Sequence, residues 1–427
     1  MQELRSLYKE LPAHPSVSNG YWSSAPDVNA YEAGTLSSES LAFAQAYLNL
    51  IRRSANLDDV TFESTLNANA SQGALILARL DSGLTHYPST PSGVTDAQAA
   101  PGKYACSSSN LSYSRGYSNP LQTALQGQMD DEGSSNMSRV GHRRWLLYPA
   151  TKTMGIGSAL SESGSMFTDV RVFGQSGGDA SYGYVSEDNS VSYDYVAWPA
   201  SGAFLNDLFA PGTPWSVSLN TSRYDLPNAS SVKVQVKRLS DGKTWNLDNA
   251  DSAVTTTGEY FAVENSGYGT PGCIIFNPGS ANLGANEYAG SYAVEITGLK
   301  TLGGADTSIS YQVDFDSAQI DLNRSGVTVS SIPNATYTGS EIEPAVDVAC
   351  DGKRLAEGRD YELSYSNNVD AGKASVTVTG VGDYKGEIAK SFTIMPRDLS
   401  GAEVSVASRQ TYTGWTVEPA PTVRLGN

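Results

Sequence analysis

Between Leu36 and Leu80 the apolar positions recur at helical spacing. In LSSESLAFAQAYLNLIRRS (36–54), Leu41, Ala44, Leu48 and Ile51 share one stripe, which predicts an amphipathic helix. Ser37 or Ser38 can cap its start, because a serine hydroxyl accepts from the free N–H groups of a first turn. A second helix follows in STLNANASQGALILARL (64–80), where Leu66, Ala70, Ala74 and Leu77 align. The small residues on that face let a partner approach closely. LQTALQGQM (121–129) reads as a further short helix.

After His142 the period changes. TKTMGIG and FTDVRVFG read as strands, and YGYVSED as strand and turn, so the chain up to about residue 185 mixes helices with a small sheet. Beyond 186 no helical pattern survives. VKVQVKRL, EYFAVEN, CIIFN, YAVEITGL and ISYQVDF are short, β-rich runs separated by Gly, Asn and Asp. In the last of these Ile309, Tyr311, Val313 and Phe315 alternate with polar neighbours, the pattern of a half-buried sandwich strand. TYTGSEIEPAVDV at Thr336 returns as TYTGWTVEPAPTV at Thr411, an offset of 75 residues (411 − 336). A repeat of that length predicts bead-like tandem domains. The first copy has its strands DYELSYSN, ASVTVTG and KSFTI, whereas the second stops about halfway.

These patterns divide the chain into an extended leader (1–30, containing His14), a mixed α/β domain (31–185), a β-sandwich domain (186–318), one repeat (319–395) and the truncated start of a second (396–427). The leader has no stretch fit for a signal peptide, and the chain ends at TVRLGN without an anchor motif; it reads as a piece of something longer. With 28 basic and 45 acidic residues the net charge is −17, and no basic cluster interleaves with aromatics, so nucleic acid is not an expected partner. No apolar run approaches the roughly 20 residues of a membrane span. Cys106, Cys273 and Cys350 lie far apart, without disulfide-framework or zinc-ribbon spacing.

Three places invite a chemical reading. GQSGG (174–178) matches the hydrolase elbow, but no helix pattern follows Ser176 and no histidine lies downstream of it, so this serine is expected to be inert. The other two are His86, in LTHYPSTPSG, and His142, in VGHRRWLLYP. Each is open to a structural role, to metal ligation or to acid–base work. The acidic run DDE (130–132) between them reads as a solvated loop, or as a source of a third ligand: two imidazoles and a carboxylate can hold Zn²⁺ with an open position, or share protons.

Residues from about 35 to 180 resemble the CAP superfamily of cysteine-rich secretory proteins, venom antigens and plant pathogenesis-related proteins, in its bacterial branch. Four segments in order carry the resemblance: Asn49 and Arg52 (N-x-x-R), LTHYP, SSSNLSYS in place of G-E-N-L, and GHRRWLLYP followed by MGIG. The resemblance implies an α-β-α sandwich with a cavity holding two histidines and two glutamates. His86 and His142 match the histidines. Ser109 stands where the first glutamate belongs, and Glu132, with Asp130 or Asp131 as alternates, is the candidate for the second. The set His86, His142 and Glu132 is thus the expected metal (Zn²⁺ or another divalent ion) or catalytic constellation. In the same resemblance LLYP is core strand and turn, and Gly141 gives a close approach. The tail resembles the immunoglobulin-like repeats of Gram-positive surface proteins, and the middle, with YVAWPASGAF, the β-sandwich that follows bacterial CAP domains. The implied protein is multidomain, extracellular and associated with the cell surface. It is either a binding or adhesion module on β-sandwich spacers, for a cell-wall, lipid or host-protein ligand, or a hydrolase of peptide or cell-wall material.

Overall fold

The structure, a computed structural model, describes residues 1–116, 118–131, 133–174, 180–255, 257–283 and 288–425. Glu132 and Ser176 lie outside them. The chain divides into two compact units, 1–318 and 319–427.

The first unit opens on helix α1 (Gln2–Lys9), which corrects the expectation of an extended leader. Leu4 is buried in the unit's main core, and Arg5 bridges Asp316 at 2.7 Å while donating to the Ser317 carbonyl at 2.9 Å. Met1, Leu7, Tyr8 and Leu11 recur with Leu4 at helical spacing and pack against the same core. Strands β1 (Trp22–Ser24) and β2 (Thr35–Leu36) pair before α2 (Ser38–Ser54). Ser37 caps α2, its hydroxyl accepting from Ser40 N–H at 3.1 Å. Then follow β3 (Thr61–Phe62), α3 (Ser64–Leu80), α4 (Asp96–Cys106), β4 (Ser109–Arg115), α5 (Pro120–Asp130), α6 (Ser134–Met137), α7 (Gly141–Leu146), β5 (Thr153–Leu160) and β6 (Ser165–Arg171). LLYP is therefore the end of a short helix and the turn after it, not a strand.

The four strands form one sheet in the order β3-β5-β6-β4, with β3 parallel to β5 and the remaining pairs antiparallel. Helices cover both faces. Leu75, Ile76 and Ala99 of α3 and α4 cluster with Leu111, Ala159 and Phe167 on one side. Leu48, Ile51, Leu125 and Met129 of α2 and α5 belong with Ile156, Met166 and Val170 on the other. α3 lies almost on the sheet backbone: a Cβ at Gly157 would sit 2.2 Å from Ser71 N, so the MGIG glycines are places where only hydrogen fits.

Where the sequence predicts a separate β domain, the same core continues without a break. Strands β7 (Tyr195–Trp198), β8 (Gly202–Leu205), β9 (Trp215–Leu219), β10 (Lys233–Arg238), β11 (Thr244–Leu247), β12 (Tyr260–Glu264), β13 (Cys273–Asn277), β14 (Gly290–Lys300) and β15 (Asp306–Asp316) build two sheets, β11-β10-β14-β15-β8 and β12-β13-β9-β7. Ile309, Tyr311, Val313 and Phe315 are buried, as their alternation requires. Trp215 of one sheet meets Phe315 of the other with ring centroids 5.6 Å apart, so their inner faces share a core.

The second unit is mostly strands, with no helix among its described residues. Tyr361–Ser366, Gly372–Gly380 and Glu387–Met395 pair antiparallel over a core of Val346, Val348, Val376 and Val378. Past residue 395, Ala402–Ser405 pairs with Thr422–Leu425, and no residue of 396–425 is buried. Among the described residues no helix is long and apolar enough to cross a membrane.

Candidate functional site

His142 sits in the first turn of α7, whose neighbours fix it from several directions. Arg143 is fully buried. Its guanidinium donates to the Met129 carbonyl at 2.6 Å, the Pro214 carbonyl at 2.7 Å and Ser216 Oγ at 3.0 Å. Arg144 donates to the carbonyls of Ser266 and Thr270 and lies over the Tyr268 ring, 5.1 Å from its centroid. The paired arginines therefore stitch α7 to the strands beyond residue 186. Burial lowers the Arg143 pKa to about 10, against the opposing charges of Asp131 and Asp130. Arg52, the arginine of N-x-x-R, donates to the carbonyls of Leu146 (2.7 Å), Tyr148 (3.2 Å) and Asp58 (2.8 Å), which ties α2 to the end of α7. Asn49 clamps Val60 through both its N–H and its C=O, at 2.9 and 3.0 Å. Both residues of that motif are structural. Gly141 gives the expected close approach, to a side chain: a Cβ there would lie 2.9 Å from the Tyr268 ring.

Asp131 is the acidic partner. α5 ends in a left-handed residue at Asp131 (φ 49°), a conformation aspartate tolerates better than most, and this turns the carboxylate inward. The side chain has no exposed surface. One oxygen accepts from His142 Nδ1 at 2.5 Å and the other from Arg143 N–H at 3.1 Å. The DDE run is thus no solvated loop at Asp131. Burial pulls the His142 pKa down, but the hydrogen bond and charge of Asp131 outweigh it and the net shift is upward.

His86 lies on the loop after α3, and its Nδ1 is 2.7 Å from the Cys106 carbonyl at the end of α4. A carbonyl oxygen only accepts, so Nδ1 carries the proton and the neutral ring presents Nε2 as a base or ligand. The Asp131 carboxylate imposes the same tautomer on His142. Both rings line one cavity of about 520 Å³, with Leu111–Ser114, Thr123 and Gln128, and a second of about 430 Å³, with Ser109, Asn110, Arg139, Trp145 and Tyr268. The two expected histidines therefore converge, and the cavities meet at them.

Ser109 borders the second cavity at the position where the resemblance implies glutamate. Behind it, on the α3/α4 face, lies Asp169, fully buried. Burial raises its pKa to about 7, against Ser109 and Arg171, which act to lower it. No group of three His, Cys, Asp or Glu able to hold a metal occurs among the described residues. Two imidazole nitrogens are one ligand short of a catalytic zinc site, and Asp131 is spent on orienting His142. Sequence reasoning placed Asp131 only as an alternate to Glu132. The signal available was an aspartate at a helix end, and no spacing tied it to His142.

Residues 45–173 match the family model of the cysteine-rich secretory protein family, CAP, and this segment is a CAP domain. No curated protein matches the chain. Among solved structures, PcdhgB3 EC1-4 in 50 mM HEPES aligns over 57% of this chain and 65% of that one, at 8% identity and a TM-score of 0.17.

Proposed function

We propose that this is a secreted or surface-displayed binding protein whose CAP domain captures an extracellular ligand in the His86/His142 cleft, with the strands up to residue 318 completing the cleft through Tyr268 and the strand-rich second unit serving as an immunoglobulin-like spacer. The observation that carries the reading is the shared lining of both cavities by His86 and His142, each with Nδ1 committed and Nε2 free of any bond among the described residues. A ligand entering the cleft meets two imidazole nitrogens flanked by polar and aromatic side chains and by Arg139.

One observation favours hydrolysis as a second reading. The Asp131–His142 pair has the arrangement that makes an imidazole a general base, with a carboxylate on Nδ1 and Nε2 toward the cleft. Such a base would take a proton from water attacking a peptide or glycan bond. Co-sedimentation with insoluble bacterial cell-wall material, combined with assay of released soluble fragments, separates the two. Binding that falls in His86→Ala and His142→Ala with no fragments released supports the binding module. Fragment release that His142→Ala abolishes makes the protein a hydrolase. Binding unchanged in both variants removes the cleft from either role.

A further inference from the structure

β4 is an edge strand. The sheet order β3-β5-β6-β4 gives it one neighbour, and on its other side the described residues supply no strand. Its pairing with β6 is regular over all seven residues, without a bulge, and Ser109–Arg115 contains no proline. Alternate residues of such a strand turn their N–H and C=O away from the sheet. Folded proteins normally blunt such an edge with charge, proline, a bulge or a covering segment. Here Leu111, Ser112, Tyr113 and Ser114, four consecutive residues of the edge strand, line the 520 Å³ cavity that runs to His86 and His142.

Charge adds a second constraint. Although the chain carries −17, the ionisable side chains lining the two cavities, apart from tyrosines, are His86, His142 and Arg139, and no carboxylate lines them among the described residues. Past the histidines, Arg139 is exposed, beside Tyr268, Trp145 and Tyr87.

We propose that the cleft takes an extended, carboxylate-bearing peptide, which adds as a further strand to the free edge of β4 and passes His142 into the aromatic pocket, where Arg139 meets its acidic group. The occupant's backbone supplies donors and acceptors at the two-residue spacing the edge presents, which a glycan does not. Four residues of edge span about 14 Å, enough for a tetrapeptide segment ahead of the histidines. This rests on the reading that the His86/His142 cleft is the ligand site.

The test uses the full chain and a phage-displayed library of linear hexapeptides ending in a free carboxylate. The best binder is synthesised and N-methylated at each residue in turn, and affinities are read by fluorescence anisotropy. Methylation at alternate residues is expected to cost roughly tenfold or more, the size of one lost backbone hydrogen bond, with the intervening positions tolerant. Because this scan leaves the protein unaltered, no folding defect can mimic the result. Arg139→Gln should weaken the acid peptide and not its C-terminal amide. Of Ser112→Pro and Tyr113→Pro, the one whose N–H faces away from β6 should fold and lose the peptide. Failure to enrich any peptide, uniform tolerance of N-methylation, or equal binding of acid and amide would overturn the proposal. Histidine-dependent sedimentation with cell-wall material would survive that failure if only the occupant is wrong, and would be lost if the cleft is not the site.

Discussion

Asp131→Asn is the substitution that separates the roles of charge and shape at His142. The carboxylate offers one oxygen to His142 Nδ1–H at 2.5 Å and the other to Arg143 N–H at 3.1 Å, with the Asp131 side chain wholly buried and the His142 side chain 25% exposed. Asparagine keeps the volume but has one oxygen, so one of two converging donors must face an amide NH₂. A hydrogen bond to a charged group is worth about 1.5–3 kcal/mol. The variant is therefore expected to lose about 2–3 kcal/mol at pH 5.5, where His142 is protonated. The sign of the pH dependence follows from the upward shift of His142, whose folded pKa exceeds that of the unfolded chain. Its stabilising contribution is fully present below the unfolded pKa near ~6.5 and is lost as pH rises through the folded value. In the variant the opposing charge is gone while burial remains, so the titration midpoint should fall below ~6.5. Each unit of that fall makes the destabilisation at pH 9 smaller than at pH 5.5 by about 1.4 kcal/mol.

Three histidines in the chain make the measurement direct. Proton NMR of the imidazole C–H signals across pH 5–9 gives the midpoint for each ring. His14, which packs edge-on against Phe43 at 4.9 Å and whose pKa is lowered by burial, is the internal control. Urea unfolding followed by tryptophan fluorescence at both pH values gives the stabilities. An unchanged His142 midpoint in Asp131→Asn, or the same loss of stability at pH 5.5 and pH 9, would refute the argument.

Gly157→Ala should destabilise the first unit by about 3 kcal/mol in thermal or urea unfolding, because its Cβ would fall 2.2 Å from Ser71 N and backbone on both sides has to move. Zn²⁺ titration by calorimetry should show weak binding that disappears in His86→Ala and in His142→Ala. That binding should decline as pH drops through the imidazole range, beginning at higher pH for His142, since a protonated ring cannot ligate. Asp169→Asn should gain on the wild type as pH rises from 5 to 8. The buried acid, with a pKa of about 7 against ~3.9 unfolded, loses stability as pH rises from ~3.9 to about 7 and levels off above it, so urea unfolding between pH 5 and 8 should show a relative gain of about 2.7 kcal/mol.

The elements legible in the sequence are those whose own residues determine them. α2, α3 and α5 lie where the helical stripe places them, β10, β12, β13 and β14 where the short β-rich runs do, and β15 where the alternation does. Two local readings fail, for different reasons. The helical stripe Leu4, Leu7, Tyr8 and Leu11 of α1 is present in the chain and is obscured by the Pro, Ser and Asn that follow it. LLYP ends a helix whose last carbonyls are held by α2's Arg52, tens of residues away, and a window of ten residues does not contain that partner. The boundary expected near 185 has the same explanation. Turn composition changes there, but the apolar faces on either side pack into one core.

The site was legible as residue types and not as roles. His86 and His142 could be named, yet the feature that makes them differ lies in their surroundings. His142 is held by Asp131 on its ring, by Asn110 on its carbonyl at 2.9 Å, and by two buried arginines beside it in the chain. His86 is exposed, on a loop, and held through one bond to the Cys106 carbonyl. Moving His142 would break several buried hydrogen bonds, some of them to charged groups, whereas moving His86 breaks one at the surface. The cleft therefore has one fixed wall and one adjustable wall. The RR of GHRRW is what makes the fixed wall fixed: both guanidiniums point into the protein, and the cationic side chain that a ligand meets beyond the histidines is Arg139.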